Sequence, residues 1–198
     1  MKKFFETLSN IWKIEDLRVR LTNTLLFLLI YRLGSFVVLP GVIYSTLNAQ
    51  SGNAGLVGLL NMFAGGSFSR ASIFALGVMP YISASIVVQL LGIAVPYFTK
   101  LQKEGESGRN KLNQWTRYLT ILITAVQAVA YVRSQINANQ ISPELGQYAF
   151  NIMSVFILTA GTLFVMWLGE KITDKGIGNG ISLIIMVGII AQLPGAFL

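Results

Sequence analysis

Residues Asn61 to Leu91, NMFAGGSFSRASIFALGVMPYISASIVVQLL, constrain this chain more than any other stretch. A loop of glycine and small polar residues with one arginine runs into a long apolar segment. That segment is broken by Gly77 and Pro80 and dotted with Ser83, Ser85 and Gln89. A plain membrane anchor is best served by uninterrupted Leu and Val. Irregular backbone at membrane depth is tolerated only where it packs on protein or lines a water-filled cavity, so this stretch predicts a span that lines something.

The remainder of the chain supports a membrane reading. It is 54% hydrophobic and 12% charged, where soluble domains run near a quarter charged. The apolar residues gather into five blocks, each near the ~20 residues a span needs. The expected fold is therefore an all-α polytopic membrane protein with spans at 21–38, 73–97, 115–133, 147–168 and 181–198. Pro80 is expected to bend or break the second span. The segment 56–70 is apolar, glycine-punctuated and too short to cross, which fits a short re-entrant helix. The end at Gln-Leu-Pro-Gly-Ala-Phe-Leu, without a polar tail, is expected of a piece of a longer protein.

Residues 1–20 carry Phe4, Phe5, Leu8, Ile11 and Trp12 at helical spacing, the pattern of an amphipathic helix on a membrane surface. Orientation follows from loop basicity. Segment 1–20 holds Lys2, Lys3, Lys13, Arg18 and Arg20, loop 98–117 holds Lys100, Lys103, Arg109, Lys111 and Arg117, and loop 169–180 holds Lys171 and Lys175. The opposite side has only Arg70 and Arg133. The N-terminus is thus expected in the cytoplasm.

Cysteine and histidine are both absent, which excludes disulfides, thiol chemistry and histidine-based catalysis. The eight acids, Glu6, Glu15, Asp16, Glu104, Glu106, Glu144, Glu170 and Asp174, all lie in expected loops or at span ends, so no proton relay at depth is in view. The Gly-rich GIGNG is no phosphate loop, having neither the lysine nor the βαβ setting. No enzyme and no cofactor are expected. Arg32 lies inside the first block, where a charge costs ~2.5–3.5 kcal/mol on insertion scales. Anchoring by snorkelling and a place at a polar seam both remain open for it. What is left is isolated aliphatics on interrupted helices: Val78 with Ile82, and Ile181 with Ile185, each pair four apart and so on one helix face. Periodicity alone makes them packing or lipid-facing residues.

Three segments carry a family resemblance. GGSFSRASIFALGVMPYISASIVVQLL, KEGESGRNKLNQWTRY and MWLGEKITDKGIGNGIS resemble the SecY subunits of bacterial protein-conducting channels, in the family's order and at its spacing. The likeness covers essentially the whole chain and corresponds to the N-terminal half, the first five of about ten spans. It implies an hourglass channel of two pseudo-symmetric halves that opens sideways. Val78, Ile82, Ile181 and Ile185 would supply this half's share of an aliphatic pore ring, and apolar constrictions gate by dewetting. The family often has Ile where this chain has Val78, a change expected to alter the seal only slightly.

The resemblance also makes 56–70 a plug, with Leu56, Asn61, Met62, Phe63, Gly65, Gly66, Ser69 and Arg70 as its residues. Ser83 and Gln89 fall in or near the lateral gate, where polar groups between packed helices also serve as structural glue. Lys103, Glu104, Glu106 and Arg109 lie on a cytoplasmic contact loop. The implied partners are SecE and SecG subunits, the SecA ATPase, ribosome–nascent chain complexes, translocating polypeptides with their signal sequences, and membrane lipid, all at the bacterial cytoplasmic membrane. The alternative is half of a secondary solute transporter with broken helices around a midplane site, which calls for convergent polar ligands at depth.

Overall fold

The computed structural model describes residues 14–43, 56–142 and 146–196. Its elements are α-helical: α1 Glu15–Gly34, α2 Leu56–Phe63, α3 Met79–Ala94, α4 Pro96–Lys103, α5 Glu106–Gln135, α6 Gln147–Lys175 and α7 Gly180–Ala196, with a short 3-10 turn at Ala138–Gln140. Among the described residues the only β pairing is two isolated bridges, Val38 with Ser72 and Val42 with Ile141. Most of the expected surface helix, 1–13, and most of the expected outer loop, 44–55, lie outside the described residues. Residues 15–20, also assigned to that surface helix, instead open α1.

Helix α6 is the hub, packed against α1, α5 and α7. Its buried face repeats every three to four residues through Phe150, Ser154, Leu158, Thr162, Val165, Leu168 and Ile172. Among the described residues α6 has a continuous apolar stretch long enough to cross a membrane, and α3 with α4, bent by 99°, reaches that length as a pair. Helix α5 buries a stripe of small side chains, Thr116, Thr120, Thr124 and Ala128, at four-residue spacing, which lets helix backbones approach closely. Each threonine hydroxyl donates to the carbonyl four residues back, at 3.0, 2.7 and 2.6 Å, so burial leaves it paired.

Two expected boundaries shift. The second span is not one bent helix over 73–97. Residues 73–78 form turns, and Pro80 stands in the first turn of α3, where its missing N–H costs nothing. At the far end Pro96 holds Val95 extended and opens α4. Loop 98–117 is likewise mostly helical: α4 runs to Lys103, Gly105 reverses the chain at φ +70°, and α5 begins at Glu106. Gly108 abuts the Leu101 carbonyl, leaving no room for a side chain at the corner. The expected loop 169–180 shortens to residues 176–179, since α6 continues to Lys175. There Asn179 caps α7 by accepting from the Ser182 N–H at 3.1 Å, and Thr24 of α1 accepts from Ile177 N–H at 3.0 Å.

The irregular stretch between α2 and α3 is buried in protein. Ala71, Ser72, Phe74 and Ala75 are at most 3% exposed. Leu39 donates to the Ala71 carbonyl and Ile73 to the Val37 carbonyl, both at 2.9 Å, and Gly161 of α6 receives the Ile73 carbonyl where a side chain would stand. Stacked rings of Tyr31, Phe74, Phe164 and Trp167 tie α1 and this stretch to α6. The backbone groups freed by the break are thus met by neighbouring chain.

Candidate functional site

Gly77 adopts φ +53° and turns the chain into α3, placing Val78 at the N-cap with φ −95° and ψ −1°. Ile82 follows one turn on, its N–H bonded to the Val78 carbonyl at 3.1 Å. Helix α7 brings Ile185 against them. These three side chains line one cavity of about 190 Å³ with Phe63, Ala64, Leu76, Gly77 and Met79. No charged residue borders it. Ile181, expected in the same ring, is not part of this cavity: its Cδ1 sits where a side chain on Gly169 of α6 would be. All four expected residues belong to one apolar cluster; Val78, Ile82 and Ile185 line the cavity, and Ile181 lies one turn away, packed on α6.

The segment over this cavity opens at Leu56 with α2 and closes in a glycine turn. Gly66 N–H bonds to the Asn61 carbonyl at 2.9 Å and Gly65 N–H to that of Met62 at 3.1 Å, the paired bonds of a Schellman helix end. Gly65 and Gly66 take φ +62° and +81°, a region that side chains disfavour. Asn61 Oδ1 then accepts from both the backbone N–H and the hydroxyl of Ser69, each at 3.0 Å. Met62 and Phe63 are exposed, while Ala64 to Ser67 are buried. Further along, the Tyr131 hydroxyl of α5 donates to the Phe68 carbonyl at 2.6 Å.

Two contacts fix the turn, and sequence reasoning identified neither. Arg32 of α1 donates to the Gly65 carbonyl at 3.1 Å, and Arg70 donates to the same oxygen at 3.0 Å. Both guanidinium groups lie over the Phe36 ring, 4.8 and 4.7 Å from its centre. The seam reading of Arg32, left open in the sequence, fits this position. The second contact is backbone on backbone: a Cβ on Gly188 of α7 would stand 2.9 Å from the Phe63 carbonyl oxygen and 3.4 Å from the Gly65 nitrogen. A glycine in an apolar run carries no signal of such a role.

Ser83 is exposed and donates to the Met79 carbonyl at 3.2 Å. It borders a second cavity of about 280 Å³ between α3, α5 and the 60–76 region, together with Gln127, Tyr131 and Ser134. Gln89 is also exposed and donates to the Ser85 hydroxyl at 3.1 Å, away from that cavity. At the other end of α3 and α5, Lys103 closes α4, Glu104 lies in the turn, and Glu106 and Arg109 occupy the first turn of α5. All four are exposed, and Glu104 approaches Lys111 at 3.7 Å. Nearby, Arg117 of α5 grips Glu170 of α6 through two bonds at 3.1 and 2.7 Å.

The arrangement is a small apolar cavity between α3 and α7, bordered by the end of α2. The SecY family model matches residues 72–198. The chain is 44% identical to the protein translocase subunit SecY of Buchnera aphidicola subsp. Schizaphis graminum, over 99% of this chain and 46% of that protein. Identity to the subunit of Bacillus subtilis is 45%, covering 96% and 44%. The chain thus spans about half the length of the curated relatives it matches. Two solved structures share the fold: Sec61 in the canine ribosome–channel complex from the endoplasmic reticulum, and a protein-conducting channel. Each has a TM-score of 0.64 at 20% identity and covers 88% of this chain and 36% of its own. Motifs, fold and near-full-length identity converge, and the chain belongs to the SecY family.

Proposed function

We propose that this chain forms the N-terminal half of the pore-forming subunit of a Sec translocon in the bacterial cytoplasmic membrane. Unfolded secretory chains pass through the waist, and hydrophobic segments leave sideways into lipid. Helices α1, α3, α5, α6 and α7 are its five spans, with the N-terminus cytoplasmic, and the 56–70 segment is the plug. The observation that carries this reading is the small apolar cavity bounded by Val78, Ile82 and Ile185 from two helices and by Phe63 and Ala64 of the cover. Such a surface offers a moving polypeptide nothing to bind, yet small ions must shed water to enter it.

In this reading Ser83, Gln89 and the α3–α5 cavity face the lateral gate. The helical corner at Lys103, Glu104, Glu106 and Arg109 faces the cytoplasmic motor or ribosome, and SecE and SecG complete the channel. Energy comes from the SecA ATPase or the translating ribosome, and this chain performs no enzymatic step. The test is Ile82→Asn and Ile185→Asn in the full-length protein with its partner subunits. Both variants raise resting ion conductance and admit substrates with defective signal sequences. Unchanged conductance and unchanged signal stringency in both overturn the reading.

A further inference from the structure

We propose that Arg32 is the latch of the 56–70 segment: with Arg70 it grips the Gly65 carbonyl across Phe36, and loosening this grip releases the segment from its seat on Gly188. This rests on the reading of 56–70 as a plug.

A carbonyl oxygen has two lone pairs, and that of Gly65 accepts from both guanidinium groups, at 3.1 Å from Arg32 and 3.0 Å from Arg70. Gly65 supplies this oxygen because its φ of +62° ends the helix. Arg32 belongs to α1 and Arg70 to the covering segment, so the shared oxygen joins a scaffold helix to the moving part. Phe36 lies under both cations, a placement that ring electrostatics favour.

The grip is strong but not permanent. Hydrogen bonds to charged groups are among the stronger ones in proteins, and this one lies in a partly buried place. Yet it sets two like charges side by side over one ring. The rest of the seat is the bond from the Tyr131 hydroxyl of α5 to the Phe68 carbonyl at 2.6 Å and close backbone contact between Gly188 and residues Phe63 and Gly65. A cover that must open for each substrate needs a holding contact that its own repulsion keeps releasable.

The test uses the full-length protein with its partner subunits in planar bilayers, in a cysteine-free background with Ser67→Cys, at a position buried while the segment is seated, as a thiol probe. Arg32→Gln raises both resting conductance and the labelling rate of the Ser67→Cys thiol by about tenfold, the factor that ~1.4 kcal/mol produces. Arg32→Lys, which keeps the charge and loses the fork, gives an intermediate rise. Phe36→Leu changes an exposed ring, so the fold survives; it gives a smaller rise that does not add to that of Arg32→Gln. In a channel lacking 56–70, Arg32→Gln adds no further conductance.

An equal increase on top of the deletion makes Arg32 a structural residue and overturns the latch while the plug reading stands. Unchanged conductance and labelling in Arg32→Gln and Phe36→Leu overturn the latch in the same way. A deletion that leaves resting conductance unchanged overturns the plug reading and the latch with it.

Discussion

Substituting Gly188 separates the seating of the 56–70 segment from the stability of the helix that carries the seat. In an isolated helix Gly→Ala is favourable by ~1 kcal/mol, and Gly188 lies within α7. The helix itself is therefore expected to gain. The new Cβ, however, would stand 2.9 Å from the Phe63 carbonyl oxygen, 3.4 Å from the Gly65 nitrogen and 3.6 Å from the Gly65 Cα. These are backbone atoms on a tight turn, so no side chain swings aside and the segment itself must move by several tenths of an ångström. Overpacking of this kind typically costs ~1–3 kcal/mol. If that cost falls on the seated state, the unseated population rises by about 5- to 150-fold.

The assay is resting conductance of the full-length channel with its partners, read beside thermal unfolding in detergent. Gly188→Ala leaks while its melting midpoint holds or rises. Gly188→Val leaks more. Met186→Ala, on an exposed side chain of the same helix, leaves conductance at the wild-type level. Wild-type conductance in both Gly188→Ala and Gly188→Val refutes the seat.

Deleting residues 56–70 from the full-length protein loosens closure and leaves export running; complete loss of export from a stably folded deletion refutes the plug assignment. Gly161→Val, whose side chain would meet the Ile73 carbonyl, lowers the melting midpoint by the equivalent of at least ~2 kcal/mol, because backbone has no room to yield there. The Arg117–Glu170 pair is partly exposed, at 49% and 24%. A double-mutant cycle with Arg117→Gln and Glu170→Gln therefore returns a coupling below ~1 kcal/mol, and export stays near the wild-type rate.

The parts of this fold most legible in the sequence are those that depend on local chemistry. The apolar, glycine-punctuated segment 56–70 reads as a short helix, and the pattern of Asn61 to Leu91 reads as a break that has to be sheltered. Both are met by the Schellman turn and by the pairing of Leu39 and Ile73 with the opposite strand of chain. Polarity was a poorer guide. The stretch 98–117 reads as a loop because it is charged, yet charge reports solvation, and its residues are helical on either side of Gly105. Pro80 reads as a kink inside a span. The turns at 73–78, with Gly77 at φ +53° and residues 71–73 bonded to 37–39, put the helix start at Met79 and make the proline a first-turn residue.

Long-range partners were not legible. Arg32 in an apolar block is compatible with snorkelling or with a polar seam, and the choice depends on where a carbonyl 33 residues away comes to lie. Gly188 is one small residue among aliphatics until α2 is seated on it. Ile181 and Ile185 share a helix face by spacing, but Gly169 on the neighbouring helix leaves room that the Ile181 side chain enters.

The central claim is that a polypeptide passes between Val78, Ile82 and Ile185. The most direct measurement is disulfide cross-linking from a single cysteine in a secretory chain arrested in the full-length channel, in a background otherwise free of cysteine. The account predicts adducts with Ile82→Cys and Ile185→Cys and none with Leu122→Cys or Ile152→Cys, which alter exposed side chains of α5 and α6. Adducts at those outer positions, with none at Ile82→Cys or Ile185→Cys, contradict it.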